Sequence, residues 1–441
     1  MNTESIKTEI QTLGHANIPS PLNKKIKGGY TKRFMTDDNR IIINVEKKKV
    51  LEFINKSIDL PSFEQAGPRE KIYFDPSKLK CAIATCGGLC PGLNDIIRSV
   101  VLELYHCYGV KNIYGMRYGL QGFIPDYGHN VMELKPESVS NILDMGGTIL
   151  GSSRGTQDIA SVVDCLERMN IGILFMVGGD GTLVASKKIA DEITDRKLKI
   201  SVILIPKTID NDIYLVSRSF GFDTAVDIAT QAIKGGHNEA EGYPNGIGLI
   251  KLMGRHSGFL AATAALAQQD ANFVLIPEIK FDLYGASGLL AALEKRLMER
   301  RHAVIIVAEG AGQNFFQDQK KEYDASGNIK LDDIGIFLKE KIGQWFNEKK
   351  ISATIKYIDP SYTIRSLPAN ANDSVFCGLL GRDAVHAGMA GKTKLLISHW
   401  NNHYVHLPME ASAGKRKNVD PQGKLWQSVL EATGQGSLVN E

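Results

Sequence analysis

The sequence predicts an α/β protein with two domains that each contain a mainly parallel sheet. Short, continuously apolar runs rich in β-branched residues alternate with helical patterns, which is typical of strands buried on both faces of a parallel sheet. The chain has 441 residues and nine such runs. That is too much for one ordinary domain and for one comfortable sheet, so two domains are expected.

The strand candidates begin at residue 81, where the rhythm of the sequence changes. In order they are "CAIAT" (81–85), "NIYGM" (112–116), "GILFMV" (172–177), "SVILI" (201–205), "GIGLIKL" (246–252), "NFVLI" (272–276), "AVIIVA" (303–308), "ATIKYI" (353–358) and "KLLIS" (394–398). Residues 1–79 are instead rich in Lys, Asn and Asp and hold one further candidate, "RIIINV" (40–45). We interpret them as an N-terminal extension.

The composition argues against several classes of protein. It is 43% hydrophobic and 23% charged, as in soluble globular proteins, and the net charge of +3 gives no reason to expect binding to nucleic acid or a membrane. No apolar run approaches the roughly 20 residues that span a bilayer, and the N-terminus lacks the features of a signal peptide. The six cysteines lie in apolar contexts without zinc-ligand spacing, so a reduced, cytoplasmic protein is expected.

The residues that follow the strand candidates carry most of the chemistry. Glycines, carboxylates and arginines cluster there, in "CGGLCPGLN", "GGDGT", "PKTIDND", "MGRHSG", "PE", "EGAG" and "DPSYTIR". Ligands of open α/β sheets bind outside the carboxyl ends of the strands. The pattern therefore predicts one functional rim to which many loops contribute.

Two of these loops have the strand, glycine turn and helix arrangement of a phosphate site. In "VGGDGT" (177–182) the glycines let backbone amides approach a phosphate, the following helix presents free N–H groups, and Asp180 suits a bridging Mg²⁺ ion. In "ATCGGLCPGLN" (84–94), Gly87 and Gly88 are candidates for a second phosphate group. Each loop, taken alone, is also compatible with a plain turn.

Two arginine-containing loops indicate anchors for anions. Arg255 in "MGRHSGF" (253–259), and Arg365 with Tyr362 in "DPSYTIRS" (359–366), come just after strands. A guanidinium group forks onto phosphate oxygens, which favours a phosphate-binding role. Either arginine, taken alone, is also compatible with a surface salt bridge.

Three histidines in "SHWNNHYVH" (398–406) would share one face of a helix and could then bind a metal. The stretch is rich in aromatic residues, however, and "VHLP" indicates a strand, where alternation places His403 and His406 on opposite faces. We therefore expect structural or interface roles for His399, His403 and His406.

Nine motifs, which occur in one order between about residues 65 and 412, together resemble the 6-phosphofructokinase family. They are "TCGGLCPGLN", "GGTILGSSRG", "GGDGT", "PKTIDND", "SFGFDTA", "KLMGRHSGF", "IPE", "AEGAGQ" and "YIDPSYTIRS". Within the family the chain is similar to the branch that holds the plant-type and trypanosomatid ATP-dependent enzymes and the pyrophosphate-dependent enzymes. The resemblance implies phosphoryl transfer to the 1-hydroxyl of fructose 6-phosphate, with Mg²⁺ as cofactor and ATP as co-substrate.

The resemblance also implies two similar Rossmann-like α/β domains with the active site between them. The nucleotide-side domain is expected over 80–221 and 365–412, and the fructose 6-phosphate-side domain over 222–364, with 413–441 as a tail on that side. A homo-oligomer, either a tetramer or a dimer, is usual in the family and is expected here.

Roles for individual residues follow from the same resemblance. Asp210, the first Asp of "TIDND", corresponds to the catalytic base, with Thr208 close to the substrate and Arg255 stabilising the transition state. The implied nucleotide-side residues are Gly87, Gly88, Tyr118, Arg154, Gly179, Asp180, Gly181 and Thr182. The implied sugar-side residues are Thr208, Asp210, Asp212, Met253, Gly254, Arg255, Glu278, Lys356, Tyr362 and Arg365, and the implied Mg²⁺ ligands are Asp180 and Asp212.

Three positions limit what can be transferred from the family. The short bacterial enzymes have an arginine seven residues before the Met of "MGR", where this chain has Gly246, so the 6-phosphate site depends more on Tyr362 and Arg365. Pyrophosphate users have an Asp in place of Gly181, which would crowd and repel the α-phosphate of a nucleotide. Lys207 is familiar from pyrophosphate users but also from plant-type ATP enzymes. We therefore expect ATP as donor, with pyrophosphate as the alternative.

Other classes of protein fit less well. A non-catalytic regulatory paralogue should lack Asp180, Asp210 or Arg255, and all three are present. A lipid or NAD kinase shares the "GGDGT" element but not the "PKTIDND" and "MGR" motifs. A dinucleotide-dependent oxidoreductase should carry a G-x-G-x-x-G fingerprint after its first strand, and none is found there.

Overall fold

The computed structural model describes residues 6–23, 33–317, 322–323 and 329–440. Residues 1–5 and 24–32 of the expected N-terminal extension, and residue 441 of the expected tail, lie outside the described residues. The strands are β1 (Gln11–Thr12), β2 (Ile18–Pro19), β3 (Arg40–Ile42), β4 (Ser62–Gln65), β5 (Lys71–Ile72), β6 (Lys80–Thr85), β7 (Asn112–Met116), β8 (Met132–Glu133), β9 (Ile173–Gly178), β10 (Ser201–Pro206), β11 (Gly246–Leu252), β12 (Phe273–Leu275), β13 (His302–Ala308), β14 (Thr354–Ile358), β15 (Lys392–Thr393), β16 (Leu395–Trp400) and β17 (His403–Pro408). The α-helices are α1 (Lys47–Asn55), α2 (Leu93–Leu102), α3 (Ile159–Arg168), α4 (Asp180–Asp195), α5 (Phe222–Glu241), α6 (Phe259–Gln268), α7 (Leu289–Arg300), α8 (Ile334–Glu348), α9 (Ser361–Ser366), α10 (Ala371–Met389), α11 (Met409–Ser412) and α12 (Lys424–Thr433).

The strands predicted from apolar runs are confirmed. Each of the runs from residue 81 onwards forms a strand, and the bounds differ from the prediction by no more than about two residues. In the N-terminal stretch only residues 40–42 of "RIIINV" are in a strand. The α/β class and the mainly parallel sheets are therefore as expected.

The chain forms two compact units. Unit 1 comprises Met1–Thr208, Ile213–Gly221 and Ser366–Arg416, and unit 2 comprises Ile209–Asp212, Phe222–Arg365 and Lys417–Glu441. Three positions differ from the expected domain bounds, because 209–212 and Arg365 lie in unit 2 and 413–416 lies in unit 1. Backbone pairing explains the two longer segments: the N–H of Lys417 donates to the carbonyl of Asp212 at 2.8 Å, whereas Ile213 bridges to Arg416.

Unit 1 contains a sheet with the strand order β3-β4-β17-β16-β10-β9-β6-β7-β8. The five central strands, from β16 to β7, are parallel, and the strands outside them are antiparallel. Successive side chains of β9 point to opposite faces: Leu174 and Met176 pack in the cluster that includes α3 and α4, whereas Ile173 and Phe175 face Gly388 of α10. Both faces are covered by helices, which explains the continuous apolar runs.

The described part of the N-terminal stretch adds strands to unit 1. Strand β4 pairs antiparallel with β17, so that Glu64 lies opposite His406, and β1 pairs antiparallel with β15. Paired in this way, β4 and β3 cover what would otherwise be an open sheet edge.

A buried group of charges fixes this edge. One carboxylate oxygen of Glu64 contacts Arg69, the ammonium of Lys392 at 2.7 Å and Nδ1 of His406 at 2.9 Å, and all four side chains are buried. Burial works to raise the pKa of Glu64, but the hydrogen bond with His406 and the charge of Lys392 outweigh it and hold the pKa far below its usual range. Glu64 is therefore ionised, and its charge balances two buried cations.

We predict that Glu64→Gln lowers the free energy of unfolding by about 3–5 kcal/mol at pH 7, because it leaves buried cations without their anion. Folding lowers the pKa of Glu64, so this stabilisation is present above the ordinary value of 4.5 and is lost as the pH falls from there towards the folded-state pKa. Urea denaturation at pH 7 measures the effect. Glu133→Gln is the control, since Glu133 is 57% exposed and pairs with exposed Lys135. Equal stability of the two variants would contradict the prediction.

Unit 2 contains a parallel sheet with the strand order β12-β13-β11-β14. Ile247 and Leu249 of β11 pack in a cluster with Leu293 of α7 and Leu338 of α8. On the opposite face, Ile250 packs against Gly236 of α5. The α/β sandwich of unit 2 thus has the same layered plan as the centre of unit 1.

Glycines let α5 approach β11 closely. A Cβ atom at Gly246 would lie 2.8 Å from the carbonyl carbon of Ala240, and one at Gly248 would lie 2.5 Å from the carbonyl oxygen of Gly236. No side chain fits at either position without moving the helix. Gly246 is the position where the short bacterial enzymes have an arginine, so the packing of α5 excludes that residue here.

The histidine-rich stretch forms the hairpin of β16 and β17, which confirms the strand interpretation. Nδ1 of His406 contacts Glu64, His399 lies 3.1 Å from the hydroxyl of Ser217, and exposed His403 contacts a backbone carbonyl. Among the described residues these histidines do not gather into a metal-ligand cluster. None of the helices in the described ranges is both long and apolar enough to span a bilayer.

Candidate active site

In unit 1 three loops interlock where adjacent parallel strands end. The hydroxyl of Ser152 donates to the carbonyl of Gly87 at 2.6 Å, and the ammonium of Lys207 donates to the carbonyl of Gly88 at 2.8 Å. The backbone N–H of Lys207 donates to Gly178 at 3.0 Å. The structure therefore brings together the loops after β6, β9 and β10 with the "GSSRG" segment, as the rim prediction expected.

The backbone amide of Gly87, a candidate for binding phosphate, already has a hydrogen-bond acceptor in the structure. Its φ of +84° is in the left-handed region, which favours glycine, and its N–H donates to the carbonyl of Ser153 at 3.1 Å. A phosphate acceptor for this amide would have to replace that bond. The amides at the first turn of α4 need no such exchange, because the first N–H groups of a helix have no intrahelical acceptor.

The glycine turn before α4 is tight at one end and open at the other. A Cβ atom at Gly178 would overlap Thr182 and lie 2.7 Å from its Cγ2. At Gly179 a Cβ atom would lie 3.1 Å from the carbonyl oxygen of Lys207, whereas nothing lies within 4 Å of one at Gly181. Thr182 is buried and Gly181 is exposed, so the open space lies on the solvent side of the turn.

Asp180, the first residue of α4, has a neighbour that the sequence motifs did not indicate. Nε of Arg416 donates to its carboxylate at 2.8 Å. Burial raises the pKa of Asp180, and the guanidinium of Arg416 opposes that shift. This ion pair keeps a carboxylate in place at the positive end of a helix.

Tyr118 and Arg154 are exposed residues of the same part of unit 1. The ring of Tyr118 packs on Gly151, where a Cβ atom would lie 2.7 Å from Cδ1, and its N–H donates to Leu150 at 2.8 Å. Tyr118 is therefore an accessible ring held beside the "GSSRG" loop.

The carbonyl of Thr208, at the end of the β10 loop, accepts a hydrogen bond from the hydroxyl of Ser219 at 2.7 Å.

In unit 2 the segment 209–212 places its two aspartates in different surroundings. The hydroxyl of Ser257 donates to the carbonyl of Asp210 at 3.1 Å, which ties the segment to the "MGRHSG" loop. Asn211 between them has a φ of 52°, and Asp212 is buried. Burial lowers the pKa of Lys417 to about 8, while the charge of Asp212 works against that shift.

The "MGR" loop packs tightly on the "EGAG" loop. Gly254 has a φ of +126°, and its carbonyl accepts a hydrogen bond from the N–H of Gly310 at 3.2 Å. A Cβ atom at Gly310 would lie 2.8 Å from the carbonyl carbon of Arg255. These contacts fix the backbone of Arg255 on the "EGAG" loop, and Met253 before it is half-buried.

Arg255 and Arg365 both influence the pKa of one carboxyl group, that of Glu309. The sequence motifs assigned both arginines to one site. Burial raises the pKa of Glu309, and the charges of Arg255, Lys251 and Arg365 oppose that shift. Burial works to lower the pKa of Lys251, but the carboxylates of Asp333 at 2.7 Å and Asp359 at 2.9 Å outweigh it and raise that pKa. Glu309 was missed at the sequence level, although the "AEGAGQ" motif contains it.

Glu278 and Lys356 have contrasting surroundings. One carboxylate oxygen of Glu278 accepts from the N–H groups of Gly258 at 3.0 Å and Val419 at 2.8 Å. The other oxygen is buried and has no hydrogen-bond partner among the described residues.

Lys356, which was assigned to the sugar side, pairs with Glu239 of α5 at 3.1 Å. Its ammonium lies over the ring of Tyr243, so its contacts are at the carboxyl end of α5.

The similarities of the chain to known proteins agree with this arrangement. The family model described as phosphofructokinase matches residues 80–388. The chain belongs to the phosphofructokinase family. It is 49% identical to the ATP-dependent 6-phosphofructokinase of Borreliella burgdorferi over 441 residues, which cover 99% of this chain and 98% of that protein. It is also 46% identical to the ATP-dependent 6-phosphofructokinase of Trypanosoma cruzi over 375 residues, which cover 84% and 76% of the two chains.

Solved phosphofructokinase structures share the fold. A pyrophosphate-dependent phosphofructokinase from Marinobacter aquaeolei has a TM-score of 0.65 at 19% identity and covers 81% of this chain and 92% of its own. The phosphofructokinase of Pichia pastoris in the T-state has a TM-score of 0.62 at 23% identity and covers 81% of this chain and 36% of its own. The expected fold, two Rossmann-like α/β domains with mainly parallel sheets, is confirmed.

For this chain we predict opposite effects of one methyl group at two glycines of the same turn. Gly178→Ala should destabilise the chain by about 1–3 kcal/mol, because its Cβ would overlap buried Thr182. Gly181→Ala should leave stability unchanged or raise it by about 0.5–1 kcal/mol, since the position is helical and open. Denaturant unfolding compares the two, and a larger loss at Gly181 would contradict the geometry of the turn.

Proposed function

We propose that this member of the phosphofructokinase family transfers the γ-phosphoryl group of ATP to the 1-hydroxyl of fructose 6-phosphate. The products are fructose 1,6-bisphosphate and ADP, as in glycolysis. Relatives that carry the ATP-dependent activity in their names match 97–99% of the chain at 41–49% identity. The observation that carries the choice of donor is the open space at Gly181.

On the acceptor side, Asp210 acts as the base. A sugar hydroxyl must lose its proton as its oxygen attacks phosphorus, and a positioned carboxylate can receive that proton. The hydrogen bond from Ser257 to the Asp210 backbone supports a fixed position for this carboxylate. Thr208, whose carbonyl accepts a hydrogen bond from Ser219, lies next to the substrate in this assignment, and Asp212 is two residues after Asp210.

Arginines bind the phosphate of the sugar substrate and the phosphoryl group in transfer. Arg365 with Tyr362 anchors the non-reacting 6-phosphate, and Arg255 stabilises charge on the phosphoryl group in transfer. Their shared effect on Glu309 supports placing both guanidinium groups in one site. The buried oxygen of Glu278 that has no hydrogen-bond partner in the described structure supports its role as an acceptor for sugar hydroxyls. The contacts of Lys356 with α5 do not support including it in the anchor.

On the donor side, the first turn of α4 receives the phosphates. The free N–H groups at this helix end and the positive charge of Lys207 are complementary to a polyphosphate. Gly87 and Gly88 line the neighbouring loop, and Tyr118 and Arg154 are the residues assigned to the rest of the nucleotide. The interlocking of these loops supports a rigid cradle.

Asp180 has the chemistry to hold a Mg²⁺ ion. Mg²⁺ prefers carboxylate oxygens combined with the oxygens of substrate phosphates. Asp180, half-buried at a glycine turn that is open to solvent, is such a carboxylate, and Asp212 is the second one that we assign. When bound, the ion would neutralise phosphate charge during the transfer.

The proposal is tested by the steady-state kcat/KM with ATP and with pyrophosphate, each measured at saturating Mg²⁺ and fructose 6-phosphate. We expect a higher value with ATP. A higher value with pyrophosphate would overturn the interpretation of Gly181 and leave Asp210 as the base. No turnover with either donor would overturn the proposed function itself.

Gly181→Asp is expected to lower kcat/KM for ATP by roughly 100-fold, because the new carboxylate would repel a nucleotide phosphate. With Lys207 retained, we expect the variant to gain at most weak use of pyrophosphate. Gly181→Ala is the matched control: its methyl group meets open space, so it should retain most of the ATP activity. An aspartate variant as active with ATP as the alanine variant would show that crowding at this loop does not decide the donor.

Asp210→Ala should lower kcat by roughly 10²–10⁴-fold and change the KM for fructose 6-phosphate much less, because the base acts on the moving proton. Asp227→Ala, at an exposed position of α5, is the control and should keep the wild-type kcat. A near-wild-type kcat in Asp210→Ala would remove this residue from the mechanism.

The assembly of the chain into a homo-oligomer and its cytoplasmic location stay predictions.

A further inference from the structure

We propose that His237, Glu241 and His302 form a binding site for one divalent transition-metal ion of the Zn²⁺ type. Nε2 of His237 lies 3.6 Å from one carboxylate oxygen of Glu241, and Nε2 of His302 lies 3.9 Å from the other. The three ligand atoms lie within 4.8 Å of one another. Two imidazoles and one carboxylate are a ligand set of zinc sites that keep a fourth position for water.

The fold holds these three side chains at the amino edge of the unit 2 sheet. His237 and Glu241 are four residues apart, on one face of the last turns of α5, and His302 is the first residue of β13. Gly246, the first residue of β11, pairs in register with His302. The residues assigned to phosphoryl transfer in unit 2, such as Met253, follow the opposite ends of these strands, so the cluster is separate from them.

Close packing makes the cluster preorganised. The carbonyl of Ala240, one residue before Glu241, lies where a side chain on Gly246 would be, and Gly236, one residue before His237, packs against Gly248 and Ile250. The end of α5 is therefore fixed on β11 one residue before each of its two ligands. Binding of a metal ion here would therefore cost little conformational entropy, because its ligands are already ordered.

The hydrogen bonds of the two rings leave nitrogens available for a metal. Nδ1 of His302 lies 3.2 Å from the carbonyl of Arg300, an arrangement that orients the ring and leaves Nε2 towards Glu241. Nδ1 of His237 is buried and has no hydrogen-bond partner in the described ranges. No hydrogen bond of this nitrogen therefore orients the ring away from the other two ligands. The two rings meet edge to face, with centroids 5.4 Å apart.

The charges around the three side chains and their access to solvent also suit a bound cation. Glu241 is the last residue of α5, where the helix dipole and the free carbonyls favour positive charge. This offsets the nearby charges of Arg300 and Arg301, which line the same solvent-open cavity of about 560 Å³ as Glu241 and His302. The Glu241 side chain is 54% exposed, so an ion could enter and keep water on its open side.

The ligand types decide which ion the site takes. Imidazole nitrogen suits Zn²⁺, Co²⁺, Ni²⁺ and Cu²⁺, whereas Mg²⁺ requires oxygen ligands and keeps much of its water. The site would thus select against the Mg²⁺ that we assign to phosphoryl transfer. By joining the end of α5 to the start of β13, the ion would stabilise unit 2.

The test is titration of Zn²⁺ alone into the full chain by calorimetry, in a buffer with excess Mg²⁺ that occupies oxygen-only sites. We expect one Zn²⁺ per chain, and a rise of roughly 2–4 °C in the melting temperature when the ion is saturating. Co²⁺ in its place should give the visible absorption bands of a low-symmetry nitrogen and oxygen site. His302→Gln and Glu241→Gln should each weaken Zn²⁺ binding by about 100-fold.

Two controls separate this site from others. His403→Gln removes an exposed histidine of unit 1 that also contacts a backbone carbonyl, and it should bind Zn²⁺ like the wild type. Asp210→Ala should also bind normally, which separates the site from the proposed phosphoryl-transfer residues. Glu241 is exposed, so Glu241→Gln should fold even where a histidine variant does not. Absence of one-to-one binding in the wild type, or wild-type affinity in Glu241→Gln, would overturn the proposal.

Discussion

Burial of the central strands on both faces is the constraint on which the rest of this molecule depends. Strands β9 and β10 are buried along their whole length, so their side chains can only pack, and their backbone groups must pair with neighbouring strands. Polar and charged groups are therefore confined to the ends of these strands and to the loops beyond them. At the carboxyl end of β9 and β10 these are the glycine turn with Asp180 and the segment with Lys207 and Thr208.

Close packing on glycines determines the shape of the loops and strand ends. The turn after β9 is closed at Gly178, where the Thr182 side chain leaves no room for another side chain, and open at Gly181. In unit 2, close backbone contacts fix Gly310 against Arg255 and Gly246 against α5. Glycine thus acts in two ways: it makes room for a ligand at Gly181, and it brings structural elements together elsewhere.

Charged groups near the functional loops are paired within their own unit. Asp180 lies against Arg416, Asp212 near Lys417, and Glu309 near Arg255 and Arg365. A half-buried charge without such a neighbour would be costly, and a charged substrate or metal ion can exchange with the existing contact. The chain passes from unit 1 to unit 2 between Arg416 and Lys417, so two consecutive residues serve aspartates of different units.

The sequence by itself determined the fold class, the parallel strands of both sheets, and the loops that carry glycines, carboxylates and arginines. It could do so because burial on two faces requires continuous apolar runs, and because parallel strands send their following loops to one edge. Tertiary structure alone decided which groups meet across long sequence separations. Arg416 lies 236 residues from its partner Asp180, and the basic run that contains it has no spacing that identifies that partner. The same is true of Glu64 with Lys392 and His406, and of His302 with the end of α5, because such contacts depend on how strands and helices pack and not on any local pattern.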